Sequence, residues 1–404
     1  MMADKKRILF VDDEPNLLAG LRRMLRSMRR EWEMMFVSGG AEALAVIAEQ
    51  PVDVIVSDMR MPEMDGAELL QRVMEQSPET VRIVLSGQAE RSAILRGAGA
   101  IHQYLGKPCD ADTLKDTIRR ACDLPALMPN ADIRRAVSLL NPFASLGIPF
   151  DDILRELDAA DTPVAGLSHL VSRRIGISTA MVQHIGAVFS GLRPHIPGPA
   201  QASVLLGLNT LKLLALSAQV FQQYEHDFLA ATALQSMWEH SLAVSNIARR
   251  IAQMENAPAA TVDFSAAAGL LHDVGKLILT GYFAEDYATA KKLALASDGN
   301  LSAAEMTVFG VEHAHVGAYL LGLWGMPSAV VQAVAQHQRP RPGDGFSAVT
   351  AVHIANGLEY HFKSVSDVNT AAKFDMAYLE TLNLAHRLPV WETGCFESVR
   401  EEVA

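Results

Sequence analysis

The chain has 404 residues, half hydrophobic and a fifth charged, the balance of soluble globular domains and too many residues for one ordinary core. A formal charge of −11 argues against a generic nucleic-acid surface. Cys109, Cys122 and Cys395 are scattered and make neither a disulfide framework nor a metal quartet.

The N-terminal "MMADKKRILFVDD" holds an apolar run too short for a signal-peptide core, so a cytoplasmic protein is expected. Residues 1–123 alternate short apolar runs, "RILFV", "EMMFVS", "VDVIVS", "VRIVLS" and "IHQYLG", with helical patterns such as "NLLAGLRRMLRSM". Strand–helix units in series predict a five-stranded, doubly wound parallel sheet with helices on both faces. Ligands of such sheets gather at the carboxyl ends of the strands. There the sequence places Asp12 and Asp13 after the first strand and Asp58 at the third. Ser86 ends the fourth strand and Lys107 follows the fifth. Carboxylates converging on one rim repel each other unless a cation joins them, and hard oxygen ligands suit Mg²⁺.

This constellation resembles the receiver domain of two-component response regulators over the whole segment. The resemblance implies that Asp58 accepts a phosphoryl group from a sensor histidine kinase. It implies that Asp13, Asp58 and the backbone carbonyl of Arg60 bind Mg²⁺ with Asp12 nearby, that Ser86 and Tyr104 form the switch pair, and that Lys107 is the family's lysine. "MRMPEMDG" after Asp58 and the Lys107–Pro108 pair fit the same pattern. An acyl phosphate adds roughly −1.5 to −2 charges by analogy with other phosphorylated side chains. Lys107 and Ser86 are expected to move toward it, and Tyr104 to turn inward.

A helix is expected from about Asp110 toward Cys122, broken in "LPALMPNAD" by Pro125 and Pro129, with a linker at 124–133. From residue 134 the strand pattern disappears, and helical stripes alternate with punctuation such as "NPFASLGIPF" and "GLRPHIPGPAQ". This part reads as all-α. "VLLGLNTLKLLALSAQVF" is interrupted by Asn209, Thr210 and Lys212, so it reads as a packed helix and not a membrane span. His195 reads as an exposed loop histidine.

His240, His272, His313 and His337 each lie on an apolar helical face, and Asp273 adjoins one of them. A lone histidine on such a face is more often a core residue than a ligand; four with a carboxylate are what Zn, Fe or Mn sites use. "SMWEHSLAVSNIARRIA", "AAAGLLHDVGKLIL", "FGVEHAHVGAYLLGLWGMPSAVVQAVAQHQRP" and "AVHIANGLEY" resemble the HDOD domain, an all-α relative of the HD phosphohydrolases, over about residues 134–340. The resemblance implies an HD-type ligand set begun by His240, His272 and Asp273. Where that set calls for a last aspartate the chain has Asn356, and Gln338 follows His337 where the cyclic di-GMP phosphodiesterases carry a second histidine.

The expected site is therefore a degenerate one, without a transition metal or turnover, in which His272 and Asp273 bond each other and Lys276 caps a helix or meets solvent. The function read from the sequence is a response regulator whose HDOD output binds a protein partner. Two alternatives stay open: a metal-dependent phosphohydrolase or cyclic di-GMP phosphodiesterase, and a sensor that binds the dinucleotide uncut. Residues 341–404 read as a helical extension completing the bundle, with a last helix that offers a route to a homodimer. Neither nucleic acid nor membrane is an expected partner.

Overall fold

The computed structural model describes residues 5–87, 97, 99–140, 179–197, 199–224, 228–297, 299–343, 345–364 and 374–403. The punctuation at 141–150 and the first part of the HDOD-like stretch lie outside them. Contacts divide the chain into two compact units. One comprises Met1–Val182, Ile196–Gln219 and Tyr319–Gly325; the other comprises Gln183–His195, Val220–Ala318 and Met326–Ala404.

In the first unit, strands β1 (Lys6–Val11), β2 (Trp32–Val37), β3 (Val54–Asp58), β4 (Val81–Ser86) and β5 (Gln103–Gly106) pair in parallel in the order β2-β1-β3-β4-β5. β3 and β4 are buried along their whole length, which is why they read as continuous apolar runs and not as alternation. The register sets Val11 beside Ser57, Asp58 beside Leu85 and Ser86 beside Gly106, so Asp12, Asp58, Ser86 and Lys107 emerge on one edge. Helix Gly66–Gln76 is capped by Asp65, and a Cβ on Gly66 would run into the carbonyl of Asp58. Glycine thus lets this helix close against the strand end that carries the site.

Helix Ala111–Leu127 starts on Asp110, whose carboxylate accepts the N–H groups of Asp112 and Thr113. It does not break at Pro125 as expected but runs on to Leu127 with the proline in its last turn. A second helix, Ala131–Ser138, follows on an Asn130 cap, so the expected linker is largely helical.

Arg82 of β4 is fully buried and donates to the carbonyls of Pro78, Thr80, Ala100 and Ser138. Lys212 of helix Pro199–Gln223, also in this unit, is buried with Nζ donating to the carbonyls of Ile101 and His102. Burial, with the charge of Arg82, pushes the Lys212 ammonium down to about 7. The polar residues that interrupt the leucine stripe, Asn209, Thr210 and Lys212, are all inside.

The second unit is helical. Helix Phe228–Met254 packs on Ala259–Leu271 and Ala348–Ser364, and Ser328–Gln336 packs on the latter two. A Cβ on Gly275 would strike the carbonyl of His313, so this glycine lets helix Val274–Tyr282 approach the start of helix His313–Leu323. Near the C-terminus, Trp391 is buried and donates to Glu255 at 2.7 Å, tying helix Leu388–Val403 to the bundle. His195 is not a bare loop residue: its Nε2 lies 2.9 Å from Asp263. No helix among the described residues is long and apolar enough to cross a membrane.

Candidate functional site

Two polar centres stand out, one in each unit. The first is the carboxylate rim of the sheet. Asp12 and Asp58 are both buried, and the Lys107 ammonium reaches both, Asp12 Oδ2 at 3.1 Å and Asp58 Oδ1 more closely. Asp58 Oδ2 accepts the backbone N–H of Arg60 at 2.7 Å, and Asp12 Oδ1 that of Glu14 at 2.9 Å. Although partial burial opposes it, Asp58 and Asp12 together raise the Lys107 pKa above its ordinary value. The peptide bond from Lys107 to Pro108 is cis.

Asp13, half-buried, follows Asp12 on the same loop. With Asp12, Asp13 and Asp58 ionised against one lysine, the rim carries a formal −2, which one divalent ion offsets. Hard carboxylate oxygens in that number fit Mg²⁺. Ser86 lies at the end of β4, and Tyr104 is buried with its hydroxyl donating to the Ser86 carbonyl at 3.1 Å. The tyrosine expected to turn inward on phosphorylation is therefore already inside.

The second centre is a cage of imidazoles around Asp273. His240 comes from helix Phe228–Met254. His272 and Asp273 form the joint between helices Ala259–Leu271 and Val274–Tyr282. His313 opens helix His313–Leu323, and His337 caps Ser328–Gln336. All five residues are buried. Asp273 Oδ2 lies 3.4 Å from His272 Nε2 and 3.8 Å from His240 Nε2. Its Oδ1 lies 3.3 Å from His313 Nε2 and 3.9 Å from His337 Nε2. The fold thus brings together the residues that the sequence singled out.

Three details depart from the expected arrangement. His272 reaches Asp273 only through Nε2, 3.4 Å from Oδ2; its Nδ1 donates to the carbonyl of Gly269 at 2.8 Å, and the same Nε2 faces His240 Nε2 at 3.1 Å. Lys276 is only partly exposed, and its Nζ is turned onto the cage, donating to Asp273 Oδ2 at 2.7 Å. Asn356 does not leave the cage short of anions. One turn further along helix Ala348–Ser364, buried Glu359 accepts from His240 Nδ1 at 2.7 Å, and buried Glu305 accepts from His313 Nδ1 at 2.7 Å. Gln338, in the place of a second histidine, bonds His313 Nε2 at 3.2 Å.

Burial drives the His272 and His337 pKa values down. For His313 burial acts the same way, but Glu305 and Asp273 raise it overall. Burial would also raise Asp273, yet the charges of His272 and Lys276 hold it well below the usual carboxylate range.

The donor set of the cage is of a kind that could hold a transition metal. Two of its buried atoms, Asp273 Oδ1 and His337 Nε2, have no hydrogen-bond partner, a costly condition unless a cation or water meets them. The ligand atoms of His240, His272 and Asp273 lie within 4.8 Å of one another, as do those of Asp273, His313 and His337. Imidazole nitrogen with carboxylate oxygen suits Zn, Fe or Mn.

Comparison with known proteins matches these two centres to two domain types. Residues 8–119 match the response regulator receiver domain and residues 148–340 match the HDOD domain. The chain thus has the architecture of a two-component response regulator, a receiver followed by an HDOD output domain. Among curated proteins, the hydrogenase transcriptional regulatory protein HoxA of Cupriavidus necator is 42% identical over 129 residues, which is 31% of this chain and 26% of that protein. Transcriptional regulatory protein GlrR of Escherichia coli is 31% identical over 136 residues, 33% of this chain and 30% of that protein. The chain spans less than a third of either relative. The signal receiver domain of an HD domain-containing protein from Pseudomonas fluorescens is 31% identical, with a TM-score of 0.29 over 30% of this chain and 96% of that one. A putative phosphohydrolase from Shewanella amazonensis is 18% identical, with a TM-score of 0.35 over 66% of this chain and 97% of that one.

Proposed function

We propose that this chain is a phosphorelay response regulator that accepts a phosphoryl group on Asp58 from a sensor histidine kinase. The observation that carries the reading is the Asp58 carboxylate itself, buried at the edge of the sheet between the Lys107 ammonium and the Arg60 N–H. Such a carboxylate is held in place, with the Lys107 ammonium and the Arg60 N–H fixing its orientation. In the transfer, a carboxylate oxygen of Asp58 forms a bond to phosphorus while the bond from phosphorus to the donor's imidazole nitrogen breaks. The electron pair leaves with the imidazole. Asp12, Asp13, Asp58 and the Arg60 carbonyl are the groups to hold Mg²⁺, whose role when bound is to offset the charge of the phosphoryl oxygens. Lys107 supplies a second positive charge to the product.

The test is intact-mass analysis after incubation with acetyl phosphate and Mg²⁺. The wild type should gain one phosphoryl group and Asp58→Asn none. An unmodified wild type, or equal modification of the variant, would overturn the assignment.

Output is assigned to the helical domain acting on a protein partner. Exposed apolar side chains on two packed helices support this: Leu293 and Leu295, the latter 87% exposed, on Ala284–Ala296, and Met306 on Leu301–Phe309. A second reading is favoured by the unpartnered Asp273 Oδ1 and His337 Nε2. In it the cage holds a divalent transition metal on His240, His272, His313, His337 and Asp273, as in HD-type phosphohydrolases. Such an ion, when bound, polarises phosphoryl oxygens and lowers the pKa of coordinated water toward about 7. The chain's own part is to hold the imidazoles dry and to set Lys276 beside Asp273, where its ammonium is available to an anionic phosphoester.

A further inference from the structure

The donor directions in the cage carry an inference that rests on the metal reading. The carbonyls of Gly269 and Val334 can only accept hydrogen bonds, so His272 Nδ1 and His337 Nδ1, each 2.8 Å away, must donate. Glu359 and Glu305, both buried, face His240 Nδ1 and His313 Nδ1 at 2.7 Å and accept in the same way. All four rings thus carry their proton on the outer nitrogen. The four Nε2 atoms then turn toward Asp273, at 3.3–3.9 Å, and that of His313 also meets the Gln338 amide at 3.2 Å. The Nε2 atoms of His240 and His272 are only 3.1 Å apart. Lone pairs gathered around an anion repel one another, and a cation among them removes the repulsion.

A cage meant only to tie helices together would need neither Glu305 nor Glu359, because a backbone carbonyl already serves His272 and His337 in the same outer position.

We infer that Glu305 and Glu359 are positioning residues for a divalent transition-metal ion, Glu359 acting through His240 and Glu305 through His313. Each fixes the tautomer and orientation of its imidazole and adds the negative charge that Asn356 does not supply. Neither touches the ion; both act through the ring they hold. A carboxylate behind a ligating histidine raises its basicity, and losing one costs about 10–100-fold in metal affinity.

The experiment uses the full chain, reconstituted with Co²⁺. Affinity is read by competition with a chromophoric chelator, ligand geometry by the visible absorption of bound cobalt, and folding by thermal melting. The wild type should take up Co²⁺ with an imidazole-type spectrum. Glu359→Gln and Glu305→Gln should each weaken uptake by about 10–100-fold and shift the spectrum, while the exposed Glu285→Gln changes neither. Should a glutamine variant melt early, Glu359→Asp and Glu305→Asp are read instead; by keeping the charge, they should recover part of the affinity. Glutamine variants that bind cobalt as tightly as the wild type, with an unchanged spectrum, would overturn the inference and leave the metal reading standing. A folded wild type that takes up neither Co²⁺, Zn²⁺, Mn²⁺ nor Fe²⁺ would overturn the metal reading itself.

Discussion

The rim and the cage solve one electrostatic problem in different ways. Each gathers buried carboxylate around a point where a lysine ammonium already sits, Lys107 on Asp12 and Asp58, Lys276 on Asp273. At the rim the remaining donors are oxygens, and Lys107 is still 28% exposed, so a hard ion can come and go with its water. In the cage the donors are imidazole nitrogens, each locked from behind, and His272 and His313 are fully buried. An exchanging ion suits a centre that must be charged and discharged. A retained ion suits a centre that is part of the folded state.

The sharpest way to break this contrast is Asp273→Ala. In the cage that change leaves the Lys276 ammonium, which is largely buried, without its carboxylate, and removing one partner of a buried pair costs about 3–5 kcal/mol. The chemical-denaturation midpoint of the full chain should fall accordingly. An unchanged midpoint would mean that the cage is not held by its charges.

A smaller effect is expected at the rim from Lys107→Ala. Removing the resident cation leaves Asp12, Asp13 and Asp58 to repel one another, so Mg²⁺ should bind about tenfold more tightly, on the order of 1.4 kcal/mol at this partly exposed position. Isothermal titration with Mg²⁺ reads this directly; weaker binding would show that Lys107 supports the ion site and does not compete with it.

A third lysine, Lys212, meets no carboxylate among the described residues. Lys212 rests on the carbonyls of Ile101 and His102, and burial lowers it from 10.5 to about 7. Between those values the unfolded chain binds a proton that the folded chain does not, so folding stability should rise with pH from about 7 to 10.5. In Lys212→Met that rise should flatten, with the variant gaining most relative to the wild type at and below pH 7. Parallel stability curves for the two proteins would contradict the assignment.

How far the sequence disclosed each centre follows from how each is built. A parallel sheet places its strand ends on one edge by topology, so Asp12, Asp58, Ser86 and Lys107 could be read directly from the residues that end apolar runs. The four imidazoles were legible because a histidine on an apolar stripe is conspicuous. Glu305 and Glu359 were not, since an acidic residue in a helix ordinarily marks the wet face, and only the packing turns these two inward. The clue for Glu359 was its place one turn after Asn356, in the same "HIANGLEY" segment. Lys212 and Arg82 were hidden for the same reason: a lone cation in an apolar stretch reads as an interruption, whereas here carbonyl oxygens receive it inside the first unit. Pro125 misled because proline is tolerated in a last turn as well as at a break.

The most direct test of the contrast is elemental analysis of the full chain, purified without added metal and then desalted. Magnesium should be lost while about one zinc, iron or manganese ion per chain remains, held by imidazole nitrogen and carboxylate oxygen. A protein that keeps magnesium, or that holds no transition metal while folded, would contradict it.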